Sequence, residues 1–183
     1  MSSKYSLHEE HTLYFTTSTV IGWLDVFTRP CYRKIIYDSL QHCRDKKGLS
    51  IHAYVIMSNH LHMIVSSQDK HLKDIFRDFK TFTSKRMVEA IKDNPKESRR
   101  KWMYAMFQYA GRTKENHSNR QFWQFGNHAI PLWSEPVIWQ KLAYIHQNPV
   151  RAGWVAEPWH YLHSSARQYN GMKGEIKVDL LWN

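Results

Sequence analysis

Apolar and polar positions along the chain fall into short blocks whose period changes from two to three or four and back. Thr12 to Thr19 is rich in β-branched and aromatic residues and predicts a first strand. Tyr32, Ile35, Ile36, Leu40 and Cys43 then form a helical stripe, with Thr28 as a possible N-cap, Pro30 in the first turn and Gly48 as the stop. Leu49, Ile51, Ala53, Val55 and Met57 alternate as a second strand, and Leu61, Met63 and Val65 as a third, so together they predict a hairpin. If both apolar sets face one core, Met57 must oppose Leu61, leaving Ser58, Asn59 and His60 as a three-residue connection. A two-residue loop would turn the histidines onto the core face.

Asp69 can cap a second helix with the stripe Leu72, Ile75, Phe76, Phe79, Thr83, Val88 and Ile91, closed near Pro95. From Asn94 to Arg120 periodicity fades and basic residues gather, which predicts a basic insertion, partly helical over residues 102–107. Phe122 to Phe125 predicts a short fourth strand. Ser134-Glu135-Pro136 opens a further helix through Ile138, Leu142 and Ile145, ending at Asn148-Pro149 ahead of Gly153, where a hinge is conceivable. The order β-α-β-β-α-β predicts an α+β, ferredoxin-like antiparallel sheet with helices on one face and the other face free, followed by a helix towards the C-terminus that carries Tyr144. A single domain over residues 1–183 is expected, with the insertion at about 94–120 and a tail at about 155–183 that carries no pattern beyond Asn170.

Charge narrows the class of partner. Lys and Arg total 26 against 16 Asp and Glu, a formal net charge of +10, which favours a polyanion bound in a salt-dependent way. The 8 Trp, 10 Tyr and 8 Phe tip the choice towards nucleic acid, because unpaired bases stack on such rings, although most rings in any protein pack the core. No apolar run has the length of a signal peptide or a membrane span, so a cytoplasmic protein is expected. Cys31 and Cys43 fall on one predicted helix about 18 Å apart and cannot bridge there, so free thiols are expected.

His60-Leu61-His62 places two imidazoles on one side of an extended segment, where they can share a metal. Alone the pair means little: 12 histidines in 183 residues give about 0.8 such pairs by chance. Tyr144 and Asn148 are neighbours on one helical face, with Lys141 close to one turn before. An amide oxygen from Asn148 can join the imidazoles, and such an open site suits Mg²⁺ or Mn²⁺ better than zinc. Such a metal stabilises a pentavalent phosphorus, and a nearby phenol can attack it. That phenol, with a free pKa of about 10, needs help to lose its proton. The spacing is equally compatible with a half-buried helical tyrosine, a solvated lysine and an asparagine that merely ends a helix before proline.

"HAYVIMSNHLHMIVS" followed by "YIHQNPVRAGWV" resembles the HUH single-tyrosine transposases, and within them the REP-associated tyrosine transposases. The likeness runs from the first strand to about Tyr169 and includes "SSARQY". It implies a ferredoxin-like sheet, His60 and His62 as metal ligands, Asn148 as the third ligand and Tyr144 as nucleophile. It also implies cleavage and rejoining of single-stranded DNA beside hairpins through a 5′-phosphotyrosine, without a nucleotide cofactor, by a monomer or homodimer. The proline usual before the histidine pair is Ser58 here, which bears on turn rigidity more than on chemistry. Lys80, Lys85, Arg86, Arg99, Arg100, Lys101 and Lys141 are candidates for DNA contact, and each is as readily part of a solvated face.

Other classes compete. A replication initiator or relaxase shares the chemistry, but the single tyrosine and the short chain without a helicase motif count against it. A silent, domesticated binder of hairpins or single strands need not keep all four chemical residues. An RNA-binding sheet would carry aromatics where His60 and His62 stand. A two-histidine phosphoesterase would need a second His-x-Ser/Thr copy, and none is apparent.

Overall fold

The computed structural model describes residues 12–67, 71–112, 120–126 and 128–182. Strands β1 (Tyr14–Thr19), β2 (Leu49–Ile56), β3 (His60–Ser67) and β4 (His128–Pro131) form one antiparallel sheet in the order β2-β3-β1-β4. This is the ferredoxin-like arrangement, with the first and third strands in the centre. Helices α1 (Pro30–Lys47) and α2 (Leu72–Asp93) cover one face, where Tyr14, Ile51, Tyr54, Leu61, Met63 and Val65 meet Tyr32, Ile36, Leu40, Ile75 and Phe79. The N-cap of α1 is Arg29 rather than Thr28, with Pro30 in the first turn, where its missing N–H costs nothing. Gly48 closes α1 with φ 72°, a left-handed conformation open to glycine. The expected cap Asp69 lies outside the described residues, and α2 follows His71.

The second face is covered as well, which corrects the expectation of a free one. Helix α4 (Glu135–Arg151) and the tail, including the short α5 (Ala166–Tyr169), pack on it. Its core is Phe15, Ala53, Val55, Met57, Ile64, Leu132, Leu142 and Ile145. Serving two cores requires β2 to change sides. Its register passes from Ile51↔Val65 to Ala53↔Ile64, so a bulge at His52 breaks the alternation. Tyr54 and Ile56 therefore join Leu49 and Ile51 on the helix side, while Ala53, Val55 and Met57 turn to the other face.

The bulge also changes the hairpin. Ile56 opposes Leu61 and the Met57 N–H donates to the His60 carbonyl at 2.8 Å, so the connection is Ser58-Asn59, two residues rather than three. The histidines do lie on a core-facing side, but it is the side of the second core.

The tail runs along the outer edge of β2. The Ile56 N–H donates to the His163 carbonyl at 2.9 Å and the Ser165 N–H to the Tyr54 carbonyl at 2.9 Å. Further along, the Asp179 N–H donates to the Ile51 carbonyl at 2.8 Å, and Trp182 stacks on Trp139 of α4 at 3.9 Å. An edge strand left open would invite pairing with another chain, and the tail removes that opening.

The fourth strand is displaced from its expected place. Phe122 and Trp123 are buried among Phe27, Phe79 and Phe107 in the helix-side core, with one isolated bridge from Trp123 to Val20. The strand is His128–Pro131, paired with Tyr14–Thr17 at the sheet edge, where a proline is tolerated. Within the basic segment, α3 (Arg100–Arg112) extends beyond the expected turns and buries Met103 and Phe107. Ahead of it, the fully buried Glu97 carboxylate accepts from Arg29 Nε at 2.7 Å and Arg99 Nε at 3.0 Å, and Arg99 Nη2 donates to the Asp25 carbonyl at 3.2 Å.

Hydrogen bonding from Arg99, aided by Arg29, holds the Glu97 carboxyl at about 2, below its ordinary 4.5. A depressed carboxyl stabilises the fold above the unfolded value and loses that contribution as pH falls through the folded one. Glu97→Gln is expected to cost about 3 kcal/mol at neutral pH. Urea midpoints of the two proteins should converge as pH falls from 4.5 towards about 2.

Candidate active site

His60 and His62 stand one pleat apart on β3, a central strand, with Leu61 pointing into the helix-side core. Their ring centroids are 4.7 Å apart at 69°. β1 supplies what surrounds them: Thr17 is the cross-strand partner of His62, and its hydroxyl lies 2.9 Å from His62 Nδ1. Phe15 stacks on the same imidazole at 5.4 Å and 23°. His62 is only 6% exposed, and burial, assisted by His60 and Lys141, lowers its pKa to about 3. Burial also lowers that of His60, opposed by a hydrogen bond to Asn148. Both rings are therefore neutral at physiological pH, with a lone pair to offer.

The two-residue turn decides which nitrogen offers it. Asn59 Nδ2 donates to the Trp23 carbonyl at 3.1 Å and to Asp25 Oδ1 at 3.2 Å, which orients the amide so that Oδ1 lies 2.7 Å from His60 Nδ1. An amide oxygen only accepts, so Nδ1 carries the proton and the lone pair is on Nε2. Fixing a metal-ligating histidine through its other nitrogen is a general feature of such sites.

Helix α4 brings the remaining groups. Leu142, Ile145 and Pro149 anchor it, and Tyr144 and Asn148 flank that anchored face. The Tyr144 ring lies 5.2 Å from His62 and 5.9 Å from Phe15, edge-on to both. The helix does not end at Asn148-Pro149 as expected. It continues to Arg151, and the Ala152 N–H still donates to the Asn148 carbonyl at 3.0 Å. Burial of Pro149 holds the backbone helical against the local preference of a residue before proline. Asn148 thus stays one turn beyond Tyr144, and Arg151 lies over the tyrosine ring, its Cζ 5.7 Å from the centroid. Lys141 Nζ lies 5.0 Å from the Phe15 centroid and 5.9 Å from that of Tyr144.

The structure thus gathers His60, His62, Tyr144, Asn148 and Lys141 in one place. The other basic candidates lie elsewhere. Lys80, Lys85 and Arg86 are on α2, across the sheet from the histidines, and Lys80 donates to the Gly126 carbonyl at 2.9 Å. Arg99 is held by Glu97, while Arg100 and Lys101 open α3. Sequence reasoning missed Phe15, Thr17, Asn59 and Arg151. The first two follow from strand register alone. Arg151 shares a helical face with Tyr144 but lay beyond the expected helix end, and Asn59 had been placed in a longer loop.

The donor set of two neutral imidazoles and one amide fits a hard divalent ion with open positions. Among the described residues, no group of three or more His, Cys, Asp or Glu side chains is placed to hold a metal.

A four-stranded antiparallel sheet buried on both faces, with a histidine pair and a helix-borne tyrosine on one of them, is an α+β architecture. The chain belongs to the IS200-like transposase family, whose model, described as "Transposase IS200 like", matches residues 24–120. That match includes His60 and His62, while Tyr144 and Asn148 lie beyond it. A solved structure of a REP-associated tyrosine transposase bound to a REP hairpin superimposes with TM-score 0.62 at 16% identity, covering 100% of this chain and 94% of that one. A Deinococcus radiodurans R1 protein described as a transposase aligns with TM-score 0.44 at 15% identity, over 78% of this chain and 95% of that one. No curated protein matches the chain significantly.

A histidine held neutral by burial destabilises the fold once the unfolded chain takes up the proton. In the metal-free protein, His62 should therefore reduce stability as pH falls from 6.5 towards about 3, by up to about 1.4 kcal/mol per pH unit. His62→Gln is expected to flatten that slope, measured as urea midpoints against pH.

Proposed function

We propose that this chain breaks and rejoins single-stranded DNA beside hairpins, with Tyr144 as nucleophile, as a REP-associated type of tyrosine transposase. The observation that carries the proposal is the phenol of Tyr144, 5.2 Å ring to ring from His62, on the same helix as the amide that contacts His60. His60, His62 and Asn148 would hold Mg²⁺ or Mn²⁺. Bound there, the ion would supply Lewis-acid polarisation of a phosphate oxygen.

The chain's own residues supply position and charge. Lys141 and Arg151 flank the Tyr144 ring and attract the DNA backbone towards it. The Tyr144 oxygen bonds to phosphorus as the bond from phosphorus to O3′ breaks. The phenol gives up its proton and the departing O3′ takes one up, leaving a 5′-phosphotyrosine and a free 3′-OH. Attack by a second 3′-OH reverses the step, so no nucleotide cofactor enters. Phe15 and Thr17 keep His62 from rotating during the exchange.

Tyr144 faces its own chain's histidines, which supports catalysis within one chain, whether the protein is a monomer or a homodimer. Both cores share one sheet, which supports a single HUH domain. The hairpin is carried over from the solved structure of similar fold, which holds a REP hairpin. Among the described residues, no helix is long and apolar enough to cross a membrane, and we place the reaction on cytoplasmic DNA.

Incubation with Mn²⁺ and labelled single-stranded oligonucleotides bearing palindromes from the flanks of its own gene should give an adduct that survives denaturing electrophoresis. The adduct should need the metal and vanish in Tyr144→Phe and His62→Ala. Salt-dependent binding with no adduct on any flanking sequence would instead support a silent hairpin-binding protein. Asn59→Ala, which releases His60 Nδ1, should weaken Mn²⁺ binding by roughly 10- to 100-fold in calorimetry.

A further inference from the structure

We propose that the indole of Trp23 is a stacking platform for an unpaired nucleobase next to the phosphate that Tyr144 attacks. The identity of that base rests on the transposase reading above; the stacking itself does not.

Trp23 lies in the 3₁₀ turn Ile21–Trp23 between β1 and α1. Its φ is 55°, and among the described residues it is the one non-glycine residue with positive φ. The preceding Gly22 has φ 62°, so two consecutive residues are left-handed. A bulky side chain resists that conformation and glycine does not. Such a conformation persists only where its surroundings fix it, and it gathers at ligand sites.

Those surroundings are present here. The Trp23 N–H donates to the Val20 carbonyl at 3.1 Å, and the Trp23 carbonyl accepts from Asn59 Nδ2 at 3.1 Å. Beneath the turn, Met106 of α3 comes within 3.6 Å of where a Cβ on Gly22 would stand. The turn is therefore braced, yet most of the side chain it carries faces solvent. Trp23 is 61% exposed, between the buried Val20 and Leu24.

Its position gives the exposed ring a use. The indole centroid is 6.1 Å from that of His60, at 71°. The residue that carries the platform also accepts the hydrogen bond from the amide that orients His60. Every base offers a π-face, so a rigid, exposed indole beside the reacting phosphate suits a single strand of any sequence. Inside a duplex the bases stay stacked on one another, and only its ends offer such a face. The platform therefore selects for unpaired DNA at the cleavage position.

The test uses the full chain carrying Tyr144→Phe, in EDTA, with a fluorescein-labelled oligothymidylate and an abasic strand of equal length. Trp23→Gly suits the left-handed backbone and should keep or raise the melting temperature. It should nevertheless weaken oligothymidylate binding roughly 5- to 150-fold. The preference for oligothymidylate over the abasic strand should shrink, and Trp23→Phe should retain most of it. Unchanged affinity in Trp23→Gly, or affinity lost in step with melting temperature, would overturn the platform.

Neither nucleophile nor metal enters this assay, so its outcome is separable from that of the adduct experiment. Trp23-dependent binding by a chain whose wild type forms no adduct would sink the transposase reading alone. Adduct formation with Trp23-independent binding would sink the platform alone.

Discussion

The site depends on one constraint: β3 is buried on both faces. Leu61, Met63 and Val65 belong to the core under α1 and α2, so His60, His62 and Ile64 must face the core under α4. The period of two leaves no other choice. A histidine pair on an edge strand, or on a sheet with an open face, would be solvated and mobile. Here it is held between Phe15, Thr17 and Tyr144, and burial keeps both rings neutral.

From that strand a chain of polar contacts reaches the start of α1. His60 bonds to Asn59, Asn59 to the Asp25 carboxylate, the Asp25 carbonyl to Arg99, and Arg99 to the buried Glu97, which also holds Arg29 at the start of α1. The segment ahead of α3, which looked from its charge like a surface for DNA, thus contributes at Arg99 a brace for the loop that orients a histidine. A guanidinium presents several donors in a fixed plane, so Arg99 joins a carboxylate and a carbonyl at once in fixed directions.

Much of this was legible in the sequence because it rests on local periods. The stripe of α1, its stop at Gly48, the alternation of β3 and the i,i+4 relation of Tyr144 and Asn148 follow from 3.6 and 2.0 residues per repeat. The bulge at His52 did not show, because neither glycine nor proline marks it and every residue around it is compatible with a strand. Missing it turned Val55 and Met57 to the wrong face and lengthened the hairpin loop by one residue. The fourth strand was misplaced because Phe122 and Trp123 satisfy strand propensity while serving as core plugs, whereas His128–Pro131 is short and ends in proline. The tail beyond Asn170 has no period of its own because its partners are the β2 edge and Trp139, distant in sequence.

The position of Tyr144 follows from the same packing. Among the described residues, Tyr144 has no hydrogen-bond partner that fixes it; its place is set by Leu142, Ile145 and Pro149 of α4 against the sheet, and by rings and cations around it. Apolar and ring contacts are non-directional, so they leave the Tyr144 side chain freer than its helix, which is tied by His146 Nε2 at 2.9 Å from Ser165 Oγ and by Asn148 at His60. The histidines are the opposite case, oriented by directional bonds from β1 and the Asn59 turn. The proposed strand transfer would use this division: the histidines would keep one geometry while Tyr144 took up a phosphate as an ester and released it. Lys141 and Arg151, on either side of Tyr144 along α4, would keep positive charge beside that phosphate.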